Sequence, residues 1–409
     1  MDREILRALA GQVAELAHLD IQARNMELHR AVNSLRMIRP VVLLDELPWN
    51  QLNQDGELDL KCQDEFLRSV EREMRRTLYR WNHCRGDMIV EPFYRLNRAI
   101  TIGDIGVSIH EDILASDGEN NIVSHHYIDQ LPDEESLMKL HPPEIIVDDD
   151  LTERRRTLLD GIFGDILPVR VTGVTHAGFY MPWDNLAMWR GVEPIYVDLM
   201  DDPELLHAFM HKFLDIRLDL MDRLEAMNLL DADIGILHCT PGLVDELPGR
   251  IEGGRVKRKN LWGRGTAQVF ASVSPAMHDE FEIEYAKEFF DGFGLVYYGC
   301  CEPLHNKIDI VKKLPNLRKI SITPWADVRK AAERIGKDFV LSRKPNPASV
   351  AVPALDEGAL RKDILETLSR CRENATPVDI TLKDISTVCY NPNNLSRWEQ
   401  VVMETVRNF

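Results

Sequence analysis

The sequence predicts a (β/α)₈ TIM barrel preceded by a helical arm, and three observations lead there. Short apolar runs of strand length occur eight times, most of them followed by a helical pattern. The runs are close to continuously apolar, as parallel strands covered on both faces are. The turn after the first run, LLDELPWNQL, has no glycine, which disfavours an open sheet with a glycine-rich phosphate turn.

The arm comes first, over residues 1–36. Leu6, Leu9, Val13 and Leu16 recur at helical spacing and give one stripe to bury. The catalytic barrel then fills 37–409. Its strands are predicted at 39–47, 87–95, 169–178, 232–240, 293–301, 317–325, 338–345 and 377–386. The clearest helix opens on Asp202, Pro203 and Glu204, an N-cap, a first-turn proline and an acid suited to the helix dipole. Its apolar face is Leu206, Phe209, Phe213, Ile216, Leu220 and Leu224. A last helix carries Leu395, Trp398, Val401, Val402 and Val406. Two insertions interrupt the rhythm, at about 96–168 and 241–292. The second holds the basic run RVKRK at 255–259, which reads as a solvated loop or as a docking point for an acidic partner.

Composition narrows the function. Of 409 residues, 67 are Asp or Glu and 49 Lys or Arg, a formal charge of −18 that disfavours nucleic acid and anionic membrane as partners. A local basic pocket still admits an anionic substrate. The acidic, amphipathic start is not a signal peptide and no run spans a bilayer, so a cytoplasmic enzyme is expected. Seven cysteines without a C-x-x-C pair point to reduced thiols rather than disulfides or a zinc ribbon. Nucleotide, serine-hydrolase and dinucleotide fingerprints are missing.

Barrel chemistry lies where strands end at the carboxyl face. Strand four ends in His238-Cys239 and strand five in Cys300-Cys301-Glu302, with His305 one turn on; Cys389 follows strand eight. Thiolate and imidazole ligands converging there suit Zn²⁺, while buried cysteines packing as small apolar groups are the bland alternative. Strand alternation turns Cys301 inward and Cys300 the opposite way. Asp45 and Glu46 after strand one, with Glu302 and His305, are candidate acids and bases. Trp49, His176, Tyr180, Trp183 and Tyr298 are candidates for a wall against a planar or apolar substrate, with Phe179, Met181 and Asp184 in the same loop. Arg343 and Lys344 end strand seven and offer a carboxylate or phosphate contact, or a solvated pair.

Three stretches carry a resemblance: VYYGCCEPLHNKIDIVKKLPNLRKISITPWADVRKAAERIG, ITLKDISTVCYNPNNLSRWEQVV and MWRGVEPIYVDLMDDPELLHAFM. They resemble the uroporphyrinogen decarboxylase superfamily from about residue 38 onward. That resemblance implies the same barrel. It also implies either a decarboxylase or a zinc-assisted methyltransferase working with methylcobalamin, a corrinoid carried by a partner protein. The methyltransferases have a His-x-Cys at one strand end and a later Cys. On that pattern Cys301 and Cys389 match, and Gly299 stands where the His would be. His238, Cys239, Cys300 or Glu302 is left to complete the set. The decarboxylase reading fits less well, because the arginine-rich stretch expected after strand one is acidic and apolar here. The expected reaction is transfer of a methyl group between a small methylated compound, such as a methoxylated aromatic, and the corrinoid. A homodimer is admitted but not specified, and a silent binding protein that keeps only the fold is the third reading.

Overall fold

The first helices form because their apolar residues face one way. In the computed structural model, which describes residues 1–115, 123–247, 251 and 253–409, the arm is two helices, Asp2–Ala17 and Asp20–Asn33. Leu6, Leu9 and Val13 are buried against Val70 and Met74 of helix Glu65–His83 and Leu159 and Phe163 of helix Asp149–Phe163.

The described strands are β1 (Val41–Leu44), β2 (Tyr94–Asn97), β3 (Ile100–Ile102), β4 (Glu111–Ala115), β5 (Val123–Tyr127), β6 (Ile145–Val147) and β7 (Val169–Thr172). There follow β8 (Phe179–Tyr180), β9 (Trp262–Gly265), β10 (Leu295–Tyr298), β11 (Leu317–Ile322), β12 (Val340–Arg343) and β13 (Val378–Leu382). Seven of them make a parallel sheet in the order β1-β13-β12-β11-β10-β9-β8. Strands β2 and β7 make a separate parallel pair. The antiparallel pairs β3–β6 and β4–β5 occupy the predicted first insertion.

The protein is therefore an α/β molecule around a parallel sheet, and closure of the ladder into the predicted ring is not detected among the described residues. Among the described residues the missing stretch is spanned by isolated contacts, such as the bond from Asp87 N–H to Val42 O (2.8 Å) and the parallel bridge Val174–Leu230. Predicted strand 232–240 is irregular apart from the bridge Ile236–Pro241. Predicted strand 87–95 is reduced to its last two residues, continuing into β2. In exchange, β9 lies inside what reads as the second insertion. Its sequence, WGRG, hides it: a strand with two glycines gives no apolar run. Both glycines are needed, because a Cβ on Gly263 would come within 2.5 Å of Phe290 and one on Gly265 within 2.9 Å of Phe290 and Tyr298.

The inner strands are less uniformly apolar than the sequence suggests. Ile320, Ile322, Leu341, Val378, Ile380 and Leu382 face the helix layer and join the main core. The alternate residues form a buried polar face. Lys319 pairs with Asp379 at 3.0 Å, Ser342 donates to Asp379 at 2.6 Å, and Lys319 donates to Thr240 at 3.0 Å. Burial on both sides holds, but the second side is hydrogen-bonded rather than greasy.

Helix Pro203–Ala226 matches the prediction: the Asp202 side chain caps Leu205 N–H, and the six predicted apolar residues are buried. The basic run is partly neutralised within the chain, with Arg258 paired to Asp222 and Glu225 of that helix. No described helix is long and apolar enough to cross a membrane, and all seven cysteines are free thiols.

Candidate functional site

The carboxyl ends of β1, β10, β12 and β13 meet the turn 237–240, and their side chains make one cluster. After Tyr298 the strand stops, because Gly299 turns with φ +100°; a side chain there would strike Leu304 and Ser321. Freed from alternation, both following thiols turn the same way. Cys300 Sγ and Cys301 Sγ lie 3.7 Å apart, and Cys300 Sγ lies 3.6 Å from His238 Nε2. The prediction that Cys300 faces away is thus corrected: the alternation rule ended one residue before it applied.

Lys383 follows β13 and is buried. Its ammonium approaches Cys300 Sγ at 3.3 Å, Cys301 Sγ at 3.5 Å and Asp384 Oδ2 at 2.8 Å. Asp384 Oδ2 stands 3.4 Å from Cys301 Sγ, and Asp384 N–H donates to Glu46 Oε2 at 3.1 Å. Ligand atoms of Glu46, His238 and Cys239 lie within 4.8 Å of one another, a grouping able to hold a metal ion. Lys344 donates to Cys239 O, pinning that turn, and to Ser342 Oγ.

Strain gathers at the same place. Glu46, His238, Cys239 and Asp384 all have positive φ, between 39° and 58°. Each such non-glycine residue costs about 1 kcal/mol or more and persists only where the surroundings fix it.

Charge is distributed unevenly over the two thiols. The hydrogen bond from Cys301 is the largest influence lowering the Cys300 pKa; His238, Lys383 and Arg264 add to it and together outweigh burial. The same bond, with burial, pushes the Cys301 thiol up. Burial opposes the Lys383 charge, but the adjacent cysteines hold it protonated. Cys239 is pushed up by burial and by Asp45 and Glu46.

The other predicted residues have different places. Glu302 points away from the thiols as a buried brace, accepting from Cys300 N–H at 2.9 Å, Thr266 Oγ1 at 2.9 Å and Ala267 N–H at 3.3 Å. Burial and the Cys300 charge raise its pKa to about 7. His305 lies where the charges it feels are those of Asp327, Lys330 and Arg334, not those of the thiol cluster. Asp45 faces Arg80 at 3.8 Å.

Three aromatic candidates are corrected to core residues without solvent-exposed surface. Tyr180 stacks on Phe289 at 4.6 Å, Trp183 donates to Phe281 O at 3.2 Å, and Tyr298 bonds His278 Nε2 at 2.7 Å. Tyr298 is carried to the helix side by strand alternation, and helix Pro182–Arg190 folds Trp183 inward. Trp49 is covered by the Arg76 guanidinium at 4.7 Å and meets Tyr79 edge-on. His176 stays at the rim: it packs edge-on against Phe179, whose ring faces His238, and it borders a cleft of about 410 Å³ also lined by Leu43, Arg80, Met88 and Asp233. Cys389 is exposed and lies outside the three-residue metal grouping; its described bond is from its N–H to Thr387 Oγ1 at 3.0 Å. Arg343 turns outward to Thr323 O and Asp363.

Sequence reading missed Lys383, Asp384 and Arg264. The first two were within reach, since LKD ends a predicted strand; Arg264 was hidden with its strand.

Fold and site together define an α/β protein with a strained thiol–imidazole–carboxylate cluster at the carboxyl ends of its sheet strands. No protein-family model matches the chain, and no curated protein matches it. Among solved structures, a methyltransferase from Methanosarcina mazei aligns over 95% of this chain and 98% of its own, at 10% identity and a TM-score of 0.48. A likeness that distant assigns no activity.

Proposed function

We propose that the protein is a zinc-assisted methyltransferase moving a methyl group between a small methylated compound and a corrinoid held by a partner protein. The observation that carries the metal is the donor spacing. Zn–S bonds of about 2.3 Å and Zn–N bonds of about 2.0–2.1 Å in a tetrahedron require donor separations of about 3.5–3.8 Å. The Cys300–Cys301 and Cys300–His238 separations are 3.7 and 3.6 Å. These are two of the three edges that a three-ligand set needs; the described grouping whose ligand atoms all lie within 4.8 Å of one another is Glu46, His238 and Cys239, and it adjoins Cys300 through His238. Cys389, exposed and with its described bond to Thr387, is not in the proposed set.

Bound there, zinc would polarise the heteroatom that gives up or receives the methyl group. The chain's own residues do the rest. Gly299, Glu302 and Lys344 fix the backbones that carry the donors. Lys383 offers its protons to both sulfurs, as outer partners that tune ligand basicity do. His176 and Phe179 wall one side. Methyl transfer and its corrinoid partner rest on the sequence resemblance, together with a site open to solvent at Glu46 and Asp384.

The test is methyl transfer to a reduced corrinoid protein across a panel of methoxyaromatics and methylamines, with Cys300→Ser and Cys301→Ser beside Cys371→Ser as the remote control. We expect transfer by wild type and the control, and its loss in the two site variants. Formation of coproporphyrinogen from uroporphyrinogen by the wild-type protein would contradict the proposal.

A further inference from the structure

A guanidinium near the thiols has, among the described residues, no ion-pair partner. Arg264 is the third residue of β9, and register places it between Phe179 of β8 and Tyr297 of β10 on the polar inner face. Its glycine neighbours face the helix layer, so the side chain is committed to the interior. It is 2% exposed. The one described hydrogen bond of its side chain goes to the thioether of Met181 at 3.1 Å, a weak acceptor, and the Phe179 ring lies 5.0 Å from its guanidinium carbon. Nε–H is buried without an acceptor.

The other cations of this face are provided for. Lys319 has Asp379, Lys383 has Asp384, and Lys344 has Cys239 O and Ser342. Among the described residues no carboxylate lies within ion-pair distance of Arg264. The nearby acid, Asp184, is already occupied by Gln268, accepting from its N–H at 3.0 Å and from Nε2 at 3.2 Å. Burying a charge costs several kcal/mol unless it is paired, so a fold that keeps Arg264 here keeps it for something that arrives. It is linked to the reacting end of the site through the Phe179 ring, which lies 6.3 Å from the His238 ring, whose Nε2 is 3.6 Å from Cys300 Sγ.

We infer that Arg264 seats an anionic group of the substrate, a carboxylate, sulfonate or phosphate, with the body of that substrate against Phe179 and His176 and its other end toward Cys300. This rests on the methyltransfer reading for what happens next, but not for binding. Guanidinium geometry suits any planar or tetrahedral oxyanion, and the flat apolar neighbours suit an aromatic body. The compound acted on is then an anion, and the −18 of the whole chain is overridden locally.

The test is equilibrium binding by calorimetry, without corrinoid protein, so that a failure of methyl transfer leaves it intact. The probes are para-methoxybenzoate, para-methoxybenzenesulfonate and phenyl phosphate, with para-methoxybenzamide as the neutral isostere. We expect at least one anion to bind the wild type about 100-fold more tightly than the amide, the scale of a desolvated charge pair. Arg264→Met should abolish that preference, leave the amide's affinity unchanged, and melt no lower than wild type. Arg264→Lys should keep a reduced preference, and it decides the matter if the Met variant fails to fold. The inference is overturned if no anion binds the wild type, if the amide binds as tightly, or if Arg264→Met retains the preference. Methyl transfer from the neutral amide at full rate would leave the proposed function standing while removing the anion site.

Discussion

Glu302 shows how a residue beside the chemistry can serve it without taking part. Its carboxylate gathers three donors from the turn and from the segment after β9, and one of these is the N–H of Cys300. Substituting Gln keeps the size but turns an amide N–H₂ toward donors. We expect Glu302→Gln to cost about 1–3 kcal/mol in denaturant unfolding and to loosen metal binding, with the thiols themselves intact. Unchanged stability would show that the brace is unimportant. At this scale much of the site was legible: His238, Cys239, Cys301 and Glu46 stand at strand ends, where barrel-type folds place chemistry. What was not legible came from the backbone. Gly299 ends the strand one residue early, and that alone brings Cys300 to the same side as Cys301. Positive φ at His238 and Cys239 lets two adjacent residues serve one cluster, against the pattern of a strand. Tyr180, Trp183 and Tyr298 were misplaced because an aromatic side chain near a strand end reads the same in sequence whether it faces substrate or core.

Among elements, β9 was the one overlooked, and its physical reason supplies a test. Helix Glu284–Phe290 presses Phe290 onto the strand so closely that only glycine fits at 263 and 265. Gly263→Ala should therefore destabilise by about 1–3 kcal/mol as an overpacked core does, measured by chemical unfolding; a neutral result would mean that Phe290 yields freely. The arm supplies a second test. His29, buried on helix Asp20–Asn33, bonds Asp87 O at 2.9 Å through Nε2, and burial lowers its pKa to about 4. In the folded chain it stays neutral while an unfolded histidine takes up a proton near its ordinary 6.5. Its contribution is thus fully present above pH 6.5 and is lost as the pH falls toward about 4. His278, buried and lowered to about 3, acts in the same direction. Melting temperature should fall through that window, and His29→Gln, which retains a donor, should fall less steeply. Equal slopes for the two proteins would exclude His29 as a source of the acid sensitivity.

For the molecule as a whole, the repeated strand–helix rhythm predicted the α/β class, while a closed ring of strands is not detected among the described residues. The parallel sheet, its helix layer and its carboxyl-end site follow from periodicity and capping. The gap between β1 and β8 does not, because residues 232–240 look like a strand in composition but spend their backbone bonds on the turn that presents His238 and Cys239. Function and irregularity coincide there, as they often do where local rules fail. The central claim is that this turn and the Gly299 turn together make a metal centre from His238, Cys300 and Cys301. X-ray absorption at the zinc edge, on protein loaded with one zinc per chain, tests it most directly. The account predicts a shell of two sulfurs at about 2.3 Å and nitrogen at about 2.0–2.1 Å, reduced to one sulfur by Cys300→Ser and unaltered by Cys389→Ser. A protein that takes up no zinc, or a sulfur shell indifferent to Cys300→Ser, would contradict it.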